Sequence, residues 1–172
     1  MLFFILLNME NLPKLLESKA KIRFQDCDPF NHLNNGSYIN YMINAREDQV
    51  LEAYNFDIHA LMKKHQQSWV TASNQIAYLK PAFLSEKVAI DSKIIRLSER
   101  DMTVEIRMWN ENKSQLKTVL WCGFVYFDLK TQRVAKHPKE FMELFEKVFL
   151  PVTDRLFESR VQTLKKENFK TQ

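Results

Sequence analysis

Two glycines, Gly36 and Gly123, serve a chain of 172 residues, and that scarcity removes whole classes of architecture. A dinucleotide-binding G-x-G-x-x-G turn, a Walker A phosphate loop and the G-x-S-x-G elbow of α/β-hydrolases each need at least two closely spaced glycines. Hydrolytic chemistry, if present, has to use something other than an elbow serine. The length suits one domain with a sizeable core. A composition of 45% hydrophobic and 27% charged residues is that of an ordinary globular protein, with 13 Phe, 3 Trp and 5 Tyr as bulky core or pocket material.

Hydrophobic periodicity lays out the elements. Residues Ala20 to Phe24 alternate apolar with basic, as a short strand does. From Ser37 onward, Tyr38, Tyr41, Met42, Ala45, Val50, Ala53 and Tyr54 recur at helical intervals, with Asn35 or Ser37 expected to cap the first turn. Ile39 and Ile43 make the first turns apolar nearly all round, which predicts deep burial. Asn35-Gly36 is also a strong two-residue hairpin signal, but its flanks do not alternate.

Four strand-like stretches follow with only turn material between them, so antiparallel pairing is expected. They centre on 70–78, 88–94, 102–108 and 118–127. The last is apolar on both faces: Leu120, Cys122, Phe124 and Tyr126 on one, Val119, Trp121, Val125 and Phe127 on the other. Such a strand needs cover on both sides, for example from a second subunit. Pro138 opens a helix with Phe141, Leu144, Phe145 and Val148 on its apolar stripe, and Leu156, Phe157, Val161 and Leu164 mark another. The expectation is an α+β fold, a five-stranded antiparallel sheet around one long buried helix. Residues 1–19 form an N-terminal extension, 20–150 the domain and 151–172 a C-terminal helical tail.

The run Asp26 to Tyr38, DCDPFNHLNNGSY, holds the candidate chemistry. It places the carboxylate of Asp28 shortly before a helix N-terminus, whose unpaired N–H groups and partial positive charge suit an oxygen gaining negative charge. The N–H groups of Asn35 and Gly36 are the candidate oxyanion donors, and Asp28 the base or nucleophile. One carboxylate and a helix start suffice to hydrolyse an acyl group carried on a good leaving group. The bland alternative for Asp28 is a turn-capping carboxylate. Asp26, His32 and Asn34 could ligate a metal, yet no His or Cys cluster completes a site, and the expectation is no metal and no cofactor. His32 and Asn34 are instead expected to hold the loop and orient Asp28. Cys27, flanked by two carboxylates, is disfavoured as a thiolate nucleophile. Tyr41, Trp69 and Tyr78, with Tyr38, are candidate acyl-pocket residues, although aromatic residues at such spacing more often form core.

The same run resembles the hotdog-fold thioesterases of the 4-hydroxybenzoyl-CoA thioesterase type, whose pattern is Asp-x-Asp-x-x-Gly-His-x-Asn-Asn followed by a Tyr-rich, Arg-containing helix. Asp26, Asp28, His32, Asn34, Asn35, Tyr38, Tyr41 and Arg46 match it. The chain departs at Asn31, where the family has glycine, and at Ile43 and Asn44, where many members have Glu, which argues against a mechanism using a helix carboxylate there. The resemblance implies a hotdog fold, acyl-CoA hydrolysis to a free acid and CoA, and a homodimer or homotetramer with sites at subunit interfaces. Lys93, Arg96 and above all Arg100 are the candidate contacts for the phosphates of CoA. The alternative is a hotdog protein that binds an acyl thioester or an acyl carrier protein without cleaving it. A hotdog hydratase or dehydratase is disfavoured because the helix start offers no catalytic His–carboxylate pair.

A net charge of +4 and a pI near 9.0 suit an anionic ligand such as CoA. The basic residues are spread along the chain, and no nucleic-acid partner is expected. Cys27 and Cys122 form neither a C-x-x-C pair nor a zinc spacing, as in a reducing compartment, and a cytoplasmic location is the expectation. The opening MLFFILL lacks a basic n-region and a cleavage pattern and is too short to span a bilayer; Met9 is an alternative start.

Overall fold

A computed structural model of the chain describes residues 11–170. The MLFFILL run and Met9 lie outside the described residues. Strand β1 spans Leu16–Lys21 and pairs antiparallel with β3, Lys21 opposite Lys87. It thus starts and ends earlier than the alternation around Ala20 to Phe24 predicts. The pairing ends where β3 begins; Ile22 N–H still reaches the Glu86 carbonyl at 2.9 Å, and Phe24–Asp26 then coil into one 3-10 turn.

Helix α1, Asn35–Tyr54, is capped by Asn34, not by Asn35 or Ser37: the Asn34 Oδ1 accepts the Gly36 N–H at 3.1 Å. It ends at Asn55, whose φ of 50° supplies the left-handed stop. Its buried stripe is Tyr38, Met42, Ala45, Arg46, Gln49, Val50 and Tyr54. Ile39 and Ile43 are only half-buried, so the helix is not apolar all round; two polar side chains occupy the buried face instead. A short α2, Ile58–His65, which the periodicity did not announce, starts at Asp57, whose Oδ1 accepts the Ala60 N–H at 2.8 Å.

Strands β2 (Gln67–Tyr78), β3 (Lys87–Leu97), β4 (Asp101–Asn110) and β5 (Leu116–Asp128) complete an antiparallel sheet of order β1-β3-β4-β5-β2. A two-residue β6, Arg133–Val134, pairs with the end of β5 and makes a sixth strand. β2 forms one edge. At its bulge Ser73 faces Gly123, and a Cβ there would come within 2.5 Å of Ser73 Oγ, so the second glycine serves a close approach.

The two faces of β5 bury different partners. Leu120, Cys122 and Tyr126 join α1 and helix α3 (Lys139–Val148), whose stripe is Phe141, Leu144, Phe145 and Val148. Val119 and Trp121 face helix α4 (Phe157–Lys170) and its Phe157, Val161 and Leu164. The second layer over Trp121 is therefore this chain's own C-terminal helix, not another subunit. Leu156, expected on that stripe, is 65% exposed.

Candidate active site

The loop before α1 is held by its own hydrogen bonds. Asp28 N–H donates to the His32 carbonyl at 2.8 Å, and Asn31 N–H to the Asp28 carbonyl at 3.0 Å. The Asp28 Oδ1 accepts two amides, Phe30 N–H at 2.9 Å and His32 N–H at 3.0 Å. So the turn-capping role is present, through one oxygen; Oδ2 has no hydrogen-bond partner among the described residues. Asn31 has φ 61°, a left-handed conformation that Asn tolerates better than most residues. Gly, which the resembled family usually has here, and Asn both accommodate that conformation. Leu33 N–H to the Ala82 carbonyl and Leu84 N–H to the Asn31 carbonyl, at 2.8 and 2.9 Å, fasten the loop to the β2–β3 connection.

Aromatic hydroxyls fix the surroundings. Tyr38 is buried under the loop and its hydroxyl accepts the Ala82 N–H at 2.9 Å; burial pushes its pKa up. Tyr78 packs edge-on against it at 5.2 Å and donates to the Asn35 carbonyl at 2.9 Å, tying the end of β2 to the start of α1. One depression is thereby lined by Asp28, His32, Asn35, Tyr38, Tyr78 and Lys80. The two expected oxyanion donors are not equivalent in it. Gly36 N–H is spent on the Asn34 cap, whereas Asn35 N–H donates to no group among the described residues.

The supporting residues act differently from expectation. His32 orients Asp28 through its backbone N–H, while its ring stands edge-on to Phe83 at 5.1 Å. Asp26 Oδ2 accepts the Tyr41 hydroxyl at 2.7 Å, and the two line a separate depression with Asn44 and Asp48. With Asn34 used as a cap, Asp26, His32 and Asn34 are engaged in three unrelated contacts. Among the described residues, no three His, Cys, Asp or Glu side chains gather to hold a metal. Cys27 is half-buried; desolvation and then the charges of Asp26 and Asp28 raise its thiol pKa.

Strand register separates Trp69 and Arg100 from this depression. Trp69 pairs with Tyr126 and Tyr78 with Thr118, and nine residues at ~3.3 Å each put about 30 Å between Trp69 and Tyr78. Arg100 accepts the Tyr126 N–H on its carbonyl at 2.8 Å, so it sits at the Trp69 end. Trp69 itself donates to His137 Nε2 at 3.0 Å and lines an apolar cavity under α1. The other expected phosphate contacts are also engaged: Lys93 is 3.6 Å from the buried carboxylate of Glu105, and Arg96 lies over Trp121 and donates to the Arg155 carbonyl. The cation beside Asp28 is Lys80, which no periodic signal marked.

The curled antiparallel sheet around one long central helix is a hotdog fold, and a carboxylate and an unengaged helix-terminal amide share one depression on it. The chain belongs to the thioesterase-like superfamily, whose profile matches residues 22–145. It is 27% identical over 133 residues to the long-chain acyl-CoA thioesterase FadM of Escherichia coli, covering 77% of this chain and 98% of that protein. The crystal structure of YbaW from Escherichia coli is 27% identical with a TM-score of 0.67, covering 78% and 99% of the two chains. SAV2348 of Staphylococcus aureus, solved with CoA, has a TM-score of 0.73 at 12% identity over 84% and 91% of the chains, which shows a shared fold. Among the described residues, no helix is long and apolar enough to cross a membrane.

Proposed function

We propose that the protein hydrolyses an acyl-CoA thioester to a carboxylic acid and CoA at the Asp28 depression. The observation that carries the reading is the presence of Asp28 and Asn35 in one depression, with Oδ1 anchored by two amides. Anchoring fixes the carboxylate, and the remaining Oδ2 either attacks the thioester carbonyl, expelling the CoA thiolate and leaving a mixed anhydride that water then hydrolyses, or takes a proton from a water that attacks the carbonyl directly and expels the thiolate. The Asn35 N–H, at the positive end of α1, stabilises the oxyanion; Gly36 N–H joins it only if the Asn34 cap lets go. Protonation of the departing thiolate is not required at neutral pH. Tyr38 and Tyr78 wall the reacting group, and Lys80 attracts the anionic end of CoA. Similarity to FadM supports acyl-CoA as the substrate class.

Free thiol release from a panel of aryl- and alkanoyl-CoA thioesters of increasing length tests this. Turnover of at least one member is the expected result. Tight binding across the panel without release of thiol would favour the non-catalytic acyl-thioester or acyl-carrier-protein partner instead.

A further inference from the structure

We propose that Lys117 is a positioning residue for Asp28: its ammonium, seated between the Pro81 carbonyl and the Glu86 carboxylate, fixes the turn 81–86 on which the Asp28 loop hangs. The catalytic consequence rests on the hydrolytic reading above; the placement of the loop does not.

Lys117 lies on β5 and is 2% exposed, a depth that a lysine reaches only when it is paired. Its Nζ donates to the Pro81 carbonyl at 2.7 Å and lies 2.9 Å from Glu86 Oε1 and 5.7 Å from the centre of the Phe83 ring. One buried cation therefore ties together the two ends of the turn between β2 and β3 through charge-assisted contacts. Glu86 closes the turn from within. Its Oε2 accepts the Phe83 N–H at 2.8 Å, and its own N–H donates to the Phe83 carbonyl at 3.0 Å.

The Asp28 loop takes its placement from this turn. The Ala82 carbonyl accepts the Leu33 N–H and the Asn31 carbonyl accepts the Leu84 N–H, at 2.8 and 2.9 Å, with His32 bridged to Phe83 between them. The Ala82 N–H also donates to the Tyr38 hydroxyl at 2.9 Å. His32 N–H, held in that register, is one of the two amides that anchor Asp28 Oδ1. The route thus runs from Lys117 to the turn, from the turn to residues 31–33, and from His32 to the carboxylate. Without the ammonium, the Pro81 carbonyl loses its donor and Glu86 its counter-charge, and the turn is free to shift. A displacement of about 1 Å at a reacting group can cost roughly 10²-fold in rate. The Leu79 and Lys80 amides, by contrast, donate to the Lys117 backbone carbonyl at 2.8 and 3.1 Å, so Lys80 keeps its place when the side chain changes. Turnover, more than substrate affinity, is what Lys117 controls.

Lys117→Met, which keeps the apolar stem and removes the ammonium, tests this when studied well below its unfolding midpoint. In amide hydrogen exchange, His32, Leu33 and Leu84 should exchange at least about tenfold faster than in the parent, while the amides of α4, on the other face of the sheet, stay within about twofold. On a thioester that the parent cleaves, kcat should fall about 10- to 100-fold with KM within about twofold. Exchange that quickens alike at His32 and along α4, or that stays unchanged at His32, would overturn the proposal; so would a kcat above half that of the parent. If Lys117→Met does not fold, Glu86→Gln, which removes the charge of the partly exposed partner and keeps an acceptor for the Phe83 N–H, should show the same local pattern at about threefold or more, and its absence would count equally against the proposal. If the parent releases thiol from no thioester, the hydrolytic reading fails, and exchange at His32 alone decides whether Lys117 fixes the loop.

Discussion

At the scale of single residues, the loop owes its shape to side chains that replace glycine. Asn31 holds φ 61°, and a β-branched residue there would be strained. We expect Asn31→Val to cost about 1–3 kcal/mol in urea unfolding and Asn31→Gly to leave stability nearly unchanged. A Val variant as stable as the parent would mean that the turn tolerates another conformation. Lys80 and Arg100 make a second contrast. Replacing Lys80 with Ala should raise KM for acyl-CoA at low salt with little change in kcat, because an exposed phosphate contact holds ground and transition states alike. Arg100 stands about 30 Å along the sheet from Tyr78 in its own subunit, so a raised KM in Arg100→Ala would mean that it acts across an oligomer interface. The loop chemistry was legible in sequence because Asp26 to Tyr38 are neighbours in the chain. Lys80 and Arg100 were not, because only the pairing of β2 with β5 decides which strand end meets the helix start.

At the scale of elements, α4 is the part that local patterning misplaces. Phe157, Val161 and Leu164 announce an amphipathic helix, but nothing local says that Trp121 is its partner. A buried ion pair pins it: Glu105, fully buried, accepts Arg160 Nε at 2.8 Å, Arg160 Nη2 at 3.0 Å and Trp121 Nε1 at 3.0 Å. Burial alone would raise the Glu105 pKa, yet the bonds from Arg160 and Trp121 and the nearby Lys93 leave it below its ordinary 4.5. A depressed folded pKa stabilises the fold above the unfolded value and loses that contribution as pH falls through the folded one. We therefore expect this contribution to be intact above pH 4.5 and to fade below it, with α4 loosening from Trp121, followed by tryptophan fluorescence. Arg160→Met, which leaves Glu105 only the Trp121 hydrogen bond and the Lys93 ammonium 3.6 Å away, should cost about 1.5–3 kcal/mol at neutral pH. A variant within 1 kcal/mol of the parent would mean that α4 is held by its apolar stripe alone.

At the scale of the whole molecule, the surface open to self-association is a sheet edge and not the sheet face under Trp121. Trp121 is covered by α4, but β2 ends the sheet with residues 71–75 exposed, and Val70 and Tyr78 are 39% and 43% exposed. An uncovered edge strand is a template for pairing with another chain, so we expect a homo-oligomer in solution; a mass of 20.5 kDa at micromolar concentration would contradict it. The antiparallel order and the long helix were readable from periodicity, whereas the cavity over Trp69 was not, because Arg46 and Gln49 occupy helix positions that pattern alone assigns to apolar side chains. The most direct test of the account is the turnover of Asp28→Asn against a thioester that the parent cleaves, with acyl-CoA affinity measured alongside. We expect kcat to fall about 10² to 10⁴-fold with affinity nearly unchanged, because the amide keeps the volume and Oδ1 still caps the loop. A variant keeping more than half of the parent kcat, a threshold of roughly 0.4 kcal/mol in barrier, would contradict the assignment of Asp28.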